Sequence, residues 1–336
     1  MDIKNITRSL QKKVRNLFDG EPLEIVMLGN TSVGKTSMLA ALSKNIKQIN
    51  NVCGVSFSPY GDSIVALDDA WTDLTAEIIS GGVYQPVVAK LSPSEDFFTY
   101  HFNLCFKGEP KAKIDFVDTK GAFIRNVDGS GLLERTAAAF GAFCVVDASV
   151  LMECDAATNL RFNRPGLVSD LLDKVFALEQ HPKFVAFVLT KCETYMRSDA
   201  DVERMKTKFH EVYCDSIALL QQKRVNSYAM SIQTLGCVRF QELVDVVDDS
   251  GKHLKLPQFI RSGGQSIRPQ DCELPLIVAM KNALWGMRNN RGVFYWLLGV
   301  FGFGDGLDDY IKQLEGLNLK QDGDAKRYYE ELASDN

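Results

Sequence analysis

Gly29-Asn30-Thr31-Ser32-Val33-Gly34-Lys35-Thr36 is the stretch that decides the fold, because it fits the pattern G-x-x-x-x-G-K-[ST]. Leu23-Glu24-Ile25-Val26-Met27-Leu28 precedes it as an apolar run of strand length, and Ser37-Met38-Leu39-Ala40-Ala41-Leu42-Ser43 follows, rich in helix formers. A strand, a glycine-bounded turn and a helix N-terminus direct several backbone N–H groups at one point, which suits phosphate oxygens. Residues 29 to 37 are therefore the candidate phosphate contacts. Lys35 is expected to reach the β/γ-phosphates and to act in catalysis, and the Thr36 hydroxyl to ligate Mg²⁺. The competing reading is a chance glycine turn before a helix, and the flanking strand and helix weigh against it.

Outward from this loop the composition is that of a folded globular chain. It has 336 residues, 46% of them apolar, and a net charge of −5. That charge gives no general footprint for nucleic acid. The eight cysteines are scattered without a C-x-x-C pair, and the four histidines do not gather with them, so reduced thiols in a cytoplasmic setting are expected. Residues 1–20 lack an apolar signal core. The most apolar late run, Val293 to Phe303, falls short of the roughly 20 residues a bilayer span needs.

From Leu23 to about Met287, apolar strand-like runs alternate with helix-like segments. The expectation is an α/β fold, a mostly parallel central sheet with helices on both faces, over residues 21–290. Phe97–Phe106 alternates as a half-buried strand and Lys113–Val117 follows it. Ala142–Val146 and Phe184–Leu189 are continuous apolar runs, as in buried parallel strands, and Val225–Met230 reads as the last strand. Asp62–Ile79 reads as an additional helix and Pro165 opens another that ends near Gln180. Ser198 with Asp201 forms a capping box for a long helix to Gln222. Asp248–Gln270 reads as a long polar loop and Cys272–Met287 as helix. Residues 1–20 carry Lys4, Arg8, Lys12, Lys13 and Arg15 with apolar residues at helical spacing. A leading helix packed on its own domain is favoured there. The alternative is a basic amphipathic helix for peripheral contact with an anionic membrane or for an acidic partner. Residues 291–336 read as a helical extension ending in an acidic tail.

Two further elements carry chemistry. After Ile114-Asp115-Phe116-Val117 comes Asp118-Thr119-Lys120-Gly121, a D-x-x-G. Asp118 at a strand's end can support Mg²⁺, and the Gly121 N–H can sense a γ-phosphate and so act in catalysis. After Phe184–Leu189 comes Thr190-Lys191-Cys192-Glu193. With these elements in this order the chain resembles the translation-factor-like class of P-loop GTPases, to which Ras-like proteins belong. The resemblance covers residues 23 to about 287. It implies a guanine-recognition motif [NT]-K-x-D, in which the lysine stem packs on the purine and the carboxylate accepts from the base N–H groups. Thr190 and Lys191 match. Glu193 sets its carboxylate one methylene farther out and keeps an ATP-dependent ATPase or phosphotransferase open as the alternative. The resemblance also implies a base contact from the loop after the last strand, Met230-Ser231-Ile232-Gln233, with Ser231 and Ile232 as candidates. A narrower resemblance is to bacterial Ras-like domains of the double-GTPase type, through the helix at Asp62–Ile79 and Leu274-Pro275-Leu276.

The resemblance implies GTP or GDP with Mg²⁺ as ligands and slow hydrolysis by a molecular switch. The position after D-x-x-G, where the family has a water-orienting glutamine, is Ala122 followed by Phe123. Gly81–Thr99 should supply a switch I threonine, yet only Thr99 occurs there and it falls in the next strand. A site so equipped calls for a protein effector or activator, or for a second copy in a dimer. Arg125, Arg161 and Arg164 are in-cis candidates for charge stabilisation. A non-hydrolysing, nucleotide-stabilised scaffold is the remaining alternative.

Overall fold

The fold is described from a computed structural model of the chain, covering residues 22–30, 32–53, 55–79, 97–106, 109–119, 131–247, 253–262, 266–288 and 326–334. Thr31, Gly121 and its neighbours Lys120, Ala122 and Phe123, Arg125, residues 1–20 and most of the 291–336 extension lie outside the described residues, as does the switch I stretch before Phe97.

The first strand, β1 (Leu23–Leu28), sits in the middle of the sheet, which is why its sequence is apolar on both sides. Ile25 and Met27 enter the core on one face and Val26 and Leu28 the core on the other. Along the chain follow β2 (Val55–Pro59), β3 (Phe98–Phe106), β4 (Glu109–Asp118), β5 (Gly141–Asp147), β6 (Phe184–Thr190) and β7 (Asn226–Ser231). A hairpin, β8 (Val238–Val247) and β9 (His253–Arg261), forms a separate two-stranded sheet. The last strand is β10 (Tyr329–Ala333). The main sheet has eight strands in the order β10-β7-β6-β5-β1-β4-β3-β2. Its centre is parallel: β1 pairs with β4 and β5, β5 with β6, and β6 with β7. The flanks are antiparallel, β2 on β3, β3 on β4 and β10 on β7. The expected mostly parallel α/β sheet with helices on both faces is what the chain forms.

Two helices cover one face through their apolar stripes: α1 (Lys35–Cys53) with Met38, Leu39 and Leu42, and a late helix, α9 (Leu274–Arg288), with Leu276, Val278 and Ala279. Between α1 and β3 lies α2 (Ser63–Ile79), whose Leu67 joins the same core. The opposite face is covered by α3 (Leu132–Ala138), α4 (Ala148–Glu153), α6 (Pro165–Phe176), α7 (Asp199–Val212) and α8 (Cys214–Gln222). The short α5 (Ala156–Phe162) leads into α6. Each wholly buried Phe or Leu in these layers contributes about 1.5–3 kcal/mol of transfer free energy, and Phe143, Phe184 and Phe187 are all of this kind. Among the described residues no helix is long and apolar enough to cross a membrane.

Three sequence expectations are corrected. The polar stretch Asp248–Gln270 is not a loop throughout, because His253–Arg261 pairs antiparallel with Val238–Val247. Leu256, Pro257, Gln258 and Phe259 are buried at the middle of the second strand, but polar and charged residues such as His253, Lys255, Gln258 and Arg261 interrupt its sequence, so it lacks a buried strand's apolar run. The long helix from Ser198 is two helices broken at Tyr213, although Ser198 does cap the first by accepting from the Asp201 N–H at 3.1 Å. The acidic tail is not helical at Tyr329–Ala333, which forms an edge strand on β7, held by Glu330 to His210 at 2.9 Å and to Lys206 at 3.4 Å.

Candidate functional site

The parallel strands β1, β4, β5, β6 and β7 end at one rim of the sheet, with Leu28, Asp118, Asp147, Thr190 and Ser231 as their last residues. The chain leaves β1 with β4 on one side and β5 on the other, so β1 marks the point where strand order reverses. Ligands of open α/β sheets bind outside the carboxyl ends of the strands at such a point. The glycine-rich turn occupies it, and α1 begins there at Lys35. Gly34 adopts φ +100°, and a Cβ on it would lie 3.2 Å from Thr190 Oγ1, so glycine serves both the backbone turn and the close approach of β6. Ser32 also takes a left-handed φ of 69°. Neither of the last two is a position an ordinary side chain would choose.

Lys35 is 6% exposed, and its ammonium donates to the loop's own carbonyls, Gly29 O at 2.8 Å and Asn30 O at 3.1 Å. Burial pushes its pKa down, opposed by the Asp118 carboxylate at 3.6 Å. Thr36 Oγ1 donates to Asp118 Oδ2 at 2.8 Å, so the two oxygens that the sequence nominates for Mg²⁺ come together from 82 residues apart. Both are hard oxygen donors of the kind that ion takes. The Thr119 hydroxyl holds the turn after β4 to Met27 O at 2.6 Å. Tyr100 of β3 stands beside this pair. Burial, together with the nearby Asp118 charge, pushes its phenol up to about 12.

The second cluster lies on the other side of the loop. Thr190 Oγ1 donates to Val33 O at 2.5 Å and lies 3.2 Å from Val146 O. Lys191, in a left-handed φ of 56°, crosses the loop to donate to Ser32 O at 2.8 Å and to Asp147 Oδ2 at 2.5 Å. Glu193 is 7% exposed. Its Oε1 accepts from the Leu235 N–H at 3.1 Å and the Gly236 N–H at 3.4 Å, while its Oε2 is buried with no partner among the described residues. Burial pushes the Glu193 carboxyl up against the pull of those amides and of Lys191. Thr190, Lys191, Glu193, Thr234, Leu235 and Phe259 line a cavity of about 30 Å³, with Gly34 and Ser37 at its loop side. That volume admits a water or two.

Ser231 and Ile232 are not placed as the sequence suggests. The Ser231 N–H donates to Tyr328 O at 3.0 Å and its Oγ accepts from the Tyr328 N–H at 3.2 Å, while the Ile232 N–H donates to Leu189 O at 2.9 Å. Both amides are committed to the sheet. The loop residues that reach the cavity are instead Thr234 and Leu235, a few positions on. Of the in-cis arginine candidates, Arg161 and Arg164 stand near the loop. Asn30 Nδ2 donates to Arg161 O at 3.4 Å, and Arg164 Nε donates to the same carbonyl at 3.0 Å. Sequence reasoning missed Asp147, which pairs with Lys191 and caps α4 by accepting from the Ser149 and Val150 N–H groups. Its signal was available, since it ends an apolar strand as Asp118 does. The hairpin residue Phe259 carried no such signal.

No family model matches the chain, and no curated protein matches it. Solved structures do match. One is the GTPase-like domain of S. cerevisiae Ski7, bound to GDP and inorganic phosphate, at 13% identity and a TM-score of 0.37. The match covers 63% of this chain and 43% of that one, so this chain spans less than half the length of that neighbour.

Proposed function

We propose that this chain is a cytoplasmic guanine-nucleotide-binding protein of the Ras-like P-loop class, a molecular switch whose GTP hydrolysis is slow or assisted by a partner. One observation carries the reading: among the described residues Glu193 Oε2 is buried without a partner, in a cavity shared with Thr190 and Lys191 and adjoining the phosphate loop. A buried acceptor left unpaired costs about 1–3 kcal/mol, and more when charged. The N1–H and 2-amino donors of guanine are the complement it lacks, whereas adenine offers no such pair. The cavity is smaller than a purine, so base binding requires the Leu235, Val238 and Phe259 wall to move outward.

At the phosphate end the first-turn amides of α1 face the ligand. The Lys35 ammonium exchanges the Gly29 and Asn30 carbonyls for β/γ-phosphate oxygens. Thr36 and Asp118 are the residues that would hold Mg²⁺, which when bound neutralises phosphate charge. Lys191 braces the loop through Ser32 O and is itself held by Asp147. With Ala122 in place of a water-orienting side chain, attack by water lacks a guide. An effector, an activating protein or a second copy of the chain would complete the site. The narrower likeness to double-GTPase domains we propose on α2 and on Leu274-Pro275-Leu276, which opens α9.

The test is competition for a fluorescent GDP analogue. GTP and GDP should displace it and ATP should not. Equal displacement by ATP would replace this reading with the ATPase or phosphotransferase alternative. Phosphate release in a single turnover, measured over a range of protein concentrations, then separates an assisted hydrolase from a scaffold that never hydrolyses.

A further inference from the structure

The sequence supplies no threonine between Gly81 and Phe98 to close over a phosphate, and Thr99 does not substitute for it. Thr99 pairs with Val117 in the β3–β4 ladder, and Val117 belongs to the core on the far face of the sheet. Side chains alternate along a strand, and directly paired residues share a face. Phe98 pairs with Asp118 and Tyr100 with Phe116, which places Phe98, Tyr100 and Asp118 on the face that α1 covers. Tyr100 is 7% exposed, its ring packs 4.5 Å from that of Phe98, and it is the diagonal cross-strand neighbour of Asp118 on this face, a spacing that a long aromatic side chain spans. A phenol is thus held by a rigid strand at the edge of the Thr36–Asp118 oxygen pair.

Resting on the nucleotide-binding reading above, we propose that Tyr100 is a positioning residue for the Mg²⁺ that Thr36 and Asp118 would hold, its hydroxyl accepting a hydrogen bond from a water in the ion's shell. Mg²⁺ dehydrates reluctantly and keeps several waters, each with protons that need acceptors. Asp118 has one oxygen engaged by Thr36 and the other facing Lys35, so a third acceptor on the same side has a task to do. Partners of this outer kind typically tune metal affinity by 10- to 100-fold. The role normally given to a mobile threonine would here fall to a side chain fixed in the sheet.

The test uses the full chain with GDP and two variants, Tyr100→Phe and Thr99→Val. Tyr100→Phe keeps the ring and its packing. Thr99→Val alters the neighbouring residue on the opposite face. Mn²⁺ affinity of the GDP complex is read by electron paramagnetic resonance, and release of fluorescent GDP is timed with Mg²⁺ and with a chelator. Tyr100→Phe should weaken Mn²⁺ binding about tenfold and remove most of the slowing of release by Mg²⁺, with an unchanged rate in chelator. Thr99→Val should match the wild type. Wild-type Mn²⁺ affinity in Tyr100→Phe overturns the inference while leaving nucleotide binding intact. So does release that is faster by the same factor with and without metal, since the hydroxyl would then only brace the protein. If the wild type binds no GDP, the functional reading fails first and this one with it.

Discussion

Replacing Glu193 by Gln should move two measurements in opposite directions. In the free protein the amide oxygen can keep the bonds from Leu235 and Gly236, at 3.1 and 3.4 Å, while a neutral NH₂ takes the place of the orphaned Oε2. A neutral amide costs less to bury than a carboxylate, so the free variant should be as stable as the wild type or up to about 2 kcal/mol more stable. In the complex the same change sets a donor against the guanine donors. Charge-assisted hydrogen bonds contribute about 1.5–3 kcal/mol each. Losing two amounts to at least about 3 kcal/mol, or roughly 100-fold in Kd. Thermal unfolding without ligand and titration with fluorescent GDP give the two numbers. A variant that binds GDP like the wild type, or that melts lower without ligand, would refute the assignment of Oε2 to the base. The same carboxyl sets a pH dependence. Its pKa is raised in the folded free protein, so between the ordinary carboxyl value and the raised one the folded state binds more protons and stability falls as pH rises. Guanine favours the carboxylate, so affinity is full above the raised value and falls as pH drops through it. The contribution of this group to both slopes should vanish in Glu193→Gln.

Lys35→Ala should abolish nucleotide binding in fluorescent titration. It should cost the fold no more than about 1–3 kcal/mol, since the ammonium's hydrogen bonds go to the loop's own carbonyls and its ion pair to Asp118 beside the loop; unchanged affinity in a folded variant would remove the phosphate-loop reading. Asp118→Ala should weaken GDP binding more in Mg²⁺ than in chelator, because its carboxylate meets Thr36, and equal losses would give Asp118 another purpose. Gly236→Ala should lower unfolding free energy by roughly 2–5 kcal/mol, because φ is +67° and a Cβ would lie 1.9 Å from Arg268 O. A change under about 0.5 kcal/mol in chemical denaturation would show that the loop rearranges freely.

The centre of the fold was legible because it is redundant in the sequence. Ala142–Val146 and Phe184–Leu189 are buried on both faces, so every residue repeats the same instruction. The octapeptide from Gly29 and the strand-end Asp118 were legible for the related reason that local order fixes them. What failed depends on partners distant in sequence. Ser231 ends a strand as the resemblance expects, but its polar groups are taken by Tyr328, about 100 residues later in the chain. The hairpin strand His253–Arg261 is paired with a strand that starts fifteen residues earlier, and its polar residues hid it in a loop. At Tyr213 the apolar spacing runs on from α7 into α8 even though the backbone turns, since Phe209, Tyr213 and Ile217 enter one core.

The bond between Ser231 and Tyr328 also sets a timetable. A chain emerging from the ribosome can form β1 to β7 and the phosphate loop from residues already made, because domains fold progressively during synthesis. The loop that carries Thr234, Leu235 and Gly236 leaves the end of β7, and β7 lacks its outer neighbour until Tyr329–Ala333 has been made. Guanine recognition should therefore mature later than phosphate recognition within one nascent molecule. Ribosome-bound chains halted before Lys326 should hold GDP far less firmly than chains extended past Ala333, and equal retention by the two would show that the base-side loop orders itself without the final strand.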